Sequence, residues 1–321
     1  MHKDRDKLPH RPPRQNATGR IPAPSEQTQG SILAPYPGTT SLLWSISTEN
    51  SEMAEREPLI FFDIPGNVEG TAWSPNTWRI RYALNYKRIP YKTAWVEYPD
   101  IAHTCQSIGI GPTGTWPDGT PMYTLPAIWD PSTGTALAGS LAIARYLDAT
   151  YPDKADTSDA ESGRAVVPEG TAALHAAFEV ALNALMVPHL QMLVVPVMLE
   201  RGSLHEASRT HYRRAREWQY GAGRVPEEWA PAGSEKRKEH WEKLRKGFGT
   251  IAGWMDGDGQ ETKFFMGEKP SFADFIVAAR LMWLKRMLGE ENEEWKAVEK
   301  WDDGRWAKLL ENLEEFSHVD G

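Results

Sequence analysis

The pattern of apolar residues changes once along the chain, and this change limits the folds that the chain can adopt. Over residues 58–151, short apolar runs typical of strands alternate with segments of helical spacing. From residue 168 onward, every segment has helical spacing. The sequence therefore predicts a small α/β domain followed by an all-helical domain.

The α/β domain is predicted to have the element order β-α-β-loop-β-β-α. Strands are expected at residues 59–64, 91–97, 125–129 and 135–137. Helices are expected at residues 74–87 and 140–149. The segment 98–123 is dense in glycine and proline, and we expect it to be irregular. In the second domain, the predicted helices are 168–189, 195–201, 204–220, 234–256, 271–288 and 292–316.

Two segments lie outside these predicted domains. Residues 1–57 are rich in Pro, Arg, Lys, Gln and Ser and lack periodicity, which predicts a disordered extension. Met53 is a candidate working start, and residues 1–52 would then be either a tail or upstream sequence. Residues 152–167 are small, polar and flanked by proline, which is typical of a linker. The predicted domains are therefore 58–151 and 168–321.

Charge and cysteine content exclude several classes of function. The net charge of −8, without a basic stripe, argues against a nucleic-acid partner. Cys105 is the only cysteine, so intrachain disulfides and cysteine-rich metal sites are excluded, and the histidines lack zinc-type spacing. We find no apolar run of about 18 residues, the length that a membrane span requires. These features predict a cytoplasmic protein with no metal and no membrane partner.

Ser74 and Pro75 follow the first predicted strand, where the next helix is expected to begin. A serine before a proline is a common helix cap, because its hydroxyl accepts hydrogen bonds from unpaired backbone N–H groups. The same hydroxyl and the positive end of the helix can also hold an anion such as a thiolate. Local sequence leaves both interpretations open.

Two further motifs have both a structural and a functional interpretation, and a third is structural. Pro126 follows Leu125 at the start of a strand; if their peptide bond is cis, the backbone of Leu125 can pair with an extended peptide. Ser140 can cap a helix or bind a carboxylate at its end. Ser271 and Asp274 form a variant capping box, which is structural under either interpretation.

Together, and in this order, the four motifs resemble those of the cytosolic glutathione transferase family over about residues 58–316. The stretch 73–98 is similar to fungal etherase-related and fungal class A members. This resemblance implies a thioredoxin-like domain followed by an all-helical domain, which is an α/β plus all-α architecture. It also implies glutathione as co-substrate, a hydrophobic small molecule as second ligand, and a homodimer.

The resemblance also assigns roles to residues by position. Ser74 matches the residue that activates the sulfur of glutathione, and Asn76 is expected to supply a second polar contact. Leu125 and Pro126 match the pair that holds the cysteinyl backbone of glutathione. Ser140 matches the serine that binds the γ-glutamyl carboxylate.

One position departs from the family pattern. Gly139 stands where the family usually has an acidic residue that helps to hold the γ-glutamyl end, so weaker glutathione binding is expected. The acceptor pocket is expected between the domains, near Trp73, Met186 and His189. The implied function is an enzyme that attaches glutathione to, or cleaves an ether in, a hydrophobic, aromatic or secondary-metabolite electrophile. A non-catalytic carrier of the ligandin type and a dimerising interaction subunit remain as alternatives.

Overall fold

The computed structural model describes residues 57–152, 163–221, 225–257, 259 and 261–319. The predicted disordered extension lies outside the described residues, apart from its last residue. Most of the predicted linker also lies outside them.

A four-stranded mixed sheet forms the centre of the α/β domain. Its strands are β1 (Leu59–Asp63), β2 (Tyr91–Trp95), β5 (Ala127–Asp130) and β6 (Thr135–Ala138). They lie in the order β2-β1-β5-β6, with β1 and β2 parallel and the other two pairs antiparallel. Helix α1 (Trp78–Tyr86) is the crossover between β1 and β2, and α3 (Ser140–Thr150) follows β6. This arrangement confirms the predicted thioredoxin-like fold.

Helix α1 lies between the sheet and the helical domain, and all its residues are buried. Tyr82 on α1 stacks on Phe275 of the helical domain, with ring centroids 5.8 Å apart. Arg81 on the same helix donates to the Asp63 carboxylate at the end of β1, with a distance of 2.8 Å between Nη2 and Oδ2. Both side chains are fully buried, so this ion pair ties the helix to the sheet inside the core.

The segment 98–123 contains more regular structure than its glycine and proline content predicts. Helix α2 (Ile101–Ser107) follows a single 3₁₀ turn, and β3 (Gly114–Thr115) pairs with β4 (Pro121–Met122) in a small hairpin. Ile101 and Cys105 anchor the inner face of α2 in the core. A helix this short has too little periodicity to be recognised from sequence.

The described residues of the helical domain form six α-helices, which confirms the all-helical prediction. They are α4 (Ala172–Glu200), α5 (Glu206–Tyr220), α6 (Glu235–Met255), α7 (Phe272–Leu288), α8 (Glu293–Glu299) and α9 (Arg305–Asn312). Helix α7 begins with the expected capping box, in which Ser271 N donates to Asp274 Oδ2 at 2.8 Å. Its side chains are almost all buried, so α7 is the core helix that joins the two domains.

Two helix boundaries in this domain differ from the prediction. The expected break between residues 189 and 195 is absent, and α4 continues through Pro188 and Pro196. Packing of α4 against α6 and α7 outweighs the backbone hydrogen bonds that these prolines remove. The expected single helix at 292–316 is interrupted, because Asp302 and Asp303 adopt positive φ angles of 49° and 57°.

Helix α4 is long and apolar enough, by length and composition, to cross a membrane; it is the one such helix in the described part of the chain. The sequence-based expectation that no segment reaches this length is therefore wrong. The same properties are typical of a core helix, and residues such as Leu190 and Leu193 are fully buried against neighbouring helices.

Candidate functional site

Ser74 lies in the turn that leads from the loop after β1 into α1. Ser74 is only 3% exposed, and Pro75 follows it directly in the turn. Its hydroxyl oxygen accepts from the backbone N–H of Asn76 at 3.4 Å, and its carbonyl accepts from Trp78 N at 3.0 Å. The predicted helix over 74–87 therefore begins later, at Trp78, with Thr77 as its N-cap. Ser74 precedes the helix by one turn.

A cavity of about 400 Å³ opens beside Ser74, between the two domains. Ser74, Asn76 and Leu125 lie on its α/β-domain wall. The opposite wall is formed by α5, including Tyr212 and Arg216. The fold thus brings together three of the residues that the sequence selected, although Leu125 is distant from the other two in sequence.

The peptide bond between Leu125 and Pro126 is cis. Thr124 and Leu125 line the cavity, and Leu125 is 5% exposed. Pro126 does not line the cavity; its carbonyl accepts from Gly139 N at 3.2 Å. This hydrogen bond connects the start of β5 to the start of α3, so the Leu125–Pro126 pair links the Ser74 region to the Ser140 region.

Gly139 and Ser140 form the N-terminus of α3, outside the cavity. Gly139 is the N-cap, with a φ of +96°, and Ser140 is the first helical residue, so the expected serine cap is displaced by one position. Beyond its chain neighbours Ala138 and Ser140, no described atom lies within 4 Å of the position that a Cβ at Gly139 would take, which leaves open space at this helix end. The Ser140 hydroxyl accepts from Arg79 Nη1 at 3.3 Å.

A partly buried ionic cluster that the sequence did not reveal contacts Ser140 through Arg79. Arg79, 2% exposed, also donates to Glu179 of α4 at 2.5 Å, and Arg280 of α7 donates to Asn183 at 3.1 Å. Burial lowers the pKa of Arg79, while Glu179 opposes this shift. Burial and the charge of Arg79 lower the pKa of Arg280 to about 9.

Glu179 pairs with Arg79, whereas Arg280 forms no ion pair within the described ranges. Nε of Arg79 and Nε of Arg280 have no hydrogen-bond partner within the described ranges. Arg79 and Glu179 are 100 residues apart, so no local pattern could have indicated their pairing. The cluster has an excess of positive charge next to an open helix N-terminus, an arrangement that favours a carboxylate ligand.

The cavity wall in the helical domain differs from the expected one. Met186 is fully buried, and Trp73, 1% exposed, lies behind the wall, where its ring packs against Tyr98 and Tyr212. His189 instead faces His240, with 3.0 Å between their Nδ1 atoms. The position between the domains was expected, but α5 forms the wall rather than α4. Within the ranges that the structure covers, no cluster of three potential metal ligands occurs.

Comparisons with known proteins agree with this architecture. The model of the glutathione S-transferase N-terminal domain matches residues 73–150, and the model of the C-terminal domain matches residues 173–316. The glutathione S-transferase-like protein ustS of Aspergillus flavus is 32% identical over 267 residues, which cover 79% of this chain and 89% of that protein.

Solved structures of fungal proteins are also similar. Glutathione S-transferase CsGST63524 of Ceriporiopsis subvermispora, in complex with glutathione, is 49% identical, with a TM-score of 0.76 over 82% of this chain and 99% of that chain. Glutathione transferase GSTFuA3 of Phanerochaete chrysosporium is 36% identical, with a TM-score of 0.73 over 83% of this chain and 100% of that chain.

Proposed function

Since the chain belongs to the glutathione S-transferase family, we propose that it binds glutathione beside Ser74 and attaches it, through its sulfur, to a hydrophobic electrophile. The observation that carries this proposal is that Ser74, Asn76 and Leu125 line one cavity between the domains. Glutathione bound along Leu125 and Pro126 would place its sulfur at the Ser74 end of that cavity.

Ser74 is proposed to stabilise the glutathione thiolate. Its hydroxyl oxygen already accepts from Asn76 N, so its own proton is available for donation to the sulfur. A donated hydrogen bond and the positive end of α1 both favour a thiolate over a thiol. The thiol proton passes to solvent, and the thiolate is the form that reacts.

The proposed reaction forms a carbon–sulfur bond. The thiolate attacks an electrophilic carbon, and a leaving group departs with the electron pair of its bond to that carbon. If the leaving group is an alkoxide or phenoxide, the reaction is ether cleavage and the oxygen takes a proton from water. If the electrophile is a conjugated carbonyl compound, the thiolate adds to it and no group leaves. The electron pair then moves to the carbonyl oxygen, which is protonated.

The γ-glutamyl end of glutathione is proposed to bind at the start of α3. Ser140 and Arg79 would hold its carboxylate at the helix end, where Gly139 leaves open space. Gly139 cannot supply the acidic side chain that the family resemblance implies at this position. Glu179 brings a carboxylate to the same arginine that binds Ser140, and we propose that Glu179 pairs with the ligand ammonium.

Calorimetry with glutathione, combined with turnover of chlorodinitrobenzene, tests this function. We expect the wild-type protein to bind glutathione and conjugate it, and we expect Ser74→Ala to retain binding while conjugation slows by about tenfold or more. Ser107→Ala, an exposed serine on α2, is the matched control and should behave as the wild type. Binding without turnover of any electrophile would indicate a carrier, and absence of glutathione binding would refute the proposal.

We also propose a homodimer, as the family resemblance implies. Sedimentation velocity of the full chain tests the assembly, with a single species of one-chain mass as the contrary result.

A further inference from the structure

One face of helix α5 forms the cavity wall opposite Ser74. Ser208, Tyr212 and Arg216 are spaced four residues apart and therefore lie along the same face. The Ser208 hydroxyl donates to the Glu97 carboxylate and accepts from Tyr98 N at 2.9 Å. These bonds fix α5 to the loop after β2, so the cavity wall is held in place.

Arg216 is a cation on this wall, and it forms no ion pair within the part of the chain that the structure describes. Its guanidinium carbon lies 4.6 Å from the ring centroid of Tyr212, and Nη1 donates to Gln219 Oε1. Nε has no hydrogen-bond partner among the residues described. Its neighbouring arginines Arg209 and Arg213 pair with Glu206 and Glu227, but no described carboxylate lies within 4.0 Å of Arg216.

The rest of the cavity wall does not balance this charge. No aspartate or glutamate in the described ranges lines the cavity. Burial and the charge of Arg214 lower the pKa of His211, so this side chain is neutral at pH 7. Burial raises the pKa of Tyr98, which keeps its phenol protonated. In a chain of net charge −8, this cavity therefore has a local positive charge.

The same cavity has flat aromatic walls. Trp116 from the hairpin between β3 and β4 stacks on Trp218 of α5, with centroids 5.5 Å apart and planes at 28°. Tyr98 and Tyr212 pack edge to face at 5.4 Å and line the same space. Aromatic walls of this kind favour planar ligands, which they contact face to face or edge to face.

We infer that the electrophile is a planar aromatic acid, whose carboxylate or equivalent acidic group pairs with Arg216 while its reactive carbon faces the Ser74 end of the cavity. This inference rests on the proposed function and names the substrate class of the same site. The guanidinium can bind a carboxylate through two parallel hydrogen bonds, and a partly desolvated site strengthens the pair. An uncharged analogue of the same shape would leave Arg216 without its partner.

Calorimetry with naphthoate and naphthamide tests the inference, because the two probes share one ring system and differ in charge. We expect the wild-type protein to bind naphthoate about tenfold more tightly than naphthamide. Arg216→Gln should remove this preference by weakening naphthoate binding alone. Arg245→Gln removes the same charge from an exposed position of α6 that does not line the cavity, and it should keep the preference.

Equal binding of the two probes to the wild-type protein would overturn the inference, as would a preference that persists in Arg216→Gln. If Arg216→Gln does not fold, the inference is tested by the wild-type comparison and by Arg216→Lys. We expect Arg216→Lys to have a reduced preference for naphthoate over naphthamide. Glutathione is titrated into the same samples and should bind Arg216→Gln normally. Weakened glutathione binding with an unchanged acid preference would assign Arg216 to a glutathione carboxylate and refute the inference. Absence of glutathione binding in every sample would refute the proposed function, while the acid preference would still be measured.

Discussion

Replacing Ser74 with alanine should raise the pKa of the glutathione thiol in the bound complex. Ser74 is 3% exposed, and its hydroxyl accepts from Asn76 N at 3.4 Å, so the sulfur would receive its proton in a site largely shielded from water. A hydrogen bond to a charged group contributes about 1.5–3 kcal/mol. Because one pKa unit corresponds to about 1.4 kcal/mol, the thiol pKa should rise by about 1–2 units.

The ultraviolet absorbance of the thiolate, followed against pH in the enzyme–glutathione complex, measures this shift. At pH values below the wild-type thiol pKa, kcat/KM for chlorodinitrobenzene should fall by about tenfold to a hundredfold, since the thiolate population falls by that factor there. The alanine also removes a turn hydrogen bond worth about 1 kcal/mol, so the assays are made well below the melting temperature. An unchanged thiol pKa in Ser74→Ala would refute the assignment of Ser74. A shift in Asn76→Ala alone would assign the sulfur contact to Asn76.

Three further predictions concern stability. Gly139→Ala should cost about 1 kcal/mol in urea unfolding, because φ is +96° and a Cβ there meets no described atom; no change would contradict the backbone argument. Asp63→Asn should cost about 3–5 kcal/mol, because it removes the carboxylate charge from the buried ion pair with Arg81, and a loss below about 1 kcal/mol would contradict this. Burial lowers the pKa values of His189 and His240, so the unfolded state binds more protons below pH 6.5 and stability should fall as the solution is acidified. Thermal melting between pH 7.5 and 5.5 measures this fall, which should be smaller in His240→Gln; an equal fall in both proteins would exclude the histidine pair as its cause.

Features that depend on neighbouring residues could be predicted from the sequence. The capping box of Ser271 and Asp274 is confirmed, because its hydrogen bonds join residues only three positions apart. The four main strands were located to within a few residues, because their apolar runs and bounding turns are local signals. Helix α2 was missed, and the prolines of α4 were misinterpreted, because burial rather than local propensity stabilises both segments.

The candidate site was predictable only in part, for the same reason. Ser74, Asn76 and Leu125 were selected by motif, and the fold places them on one cavity wall. The opposite wall was expected on α4 but is formed by α5, since helix packing decides which face of a helix borders the cleft. No motif identified Arg79, Glu179 or Arg216.

Local sequence patterns thus predicted the order of the four main strands, the turn at Ser74 and the family resemblance, because these depend on residues close together along the chain. The tertiary structure alone decided which distant side chains meet. It paired Arg79 with Glu179, 100 residues away, and placed Arg216 across the cavity from Ser74. Such contacts depend on how whole helices pack against the sheet and against one another, and a short window of sequence does not contain that information.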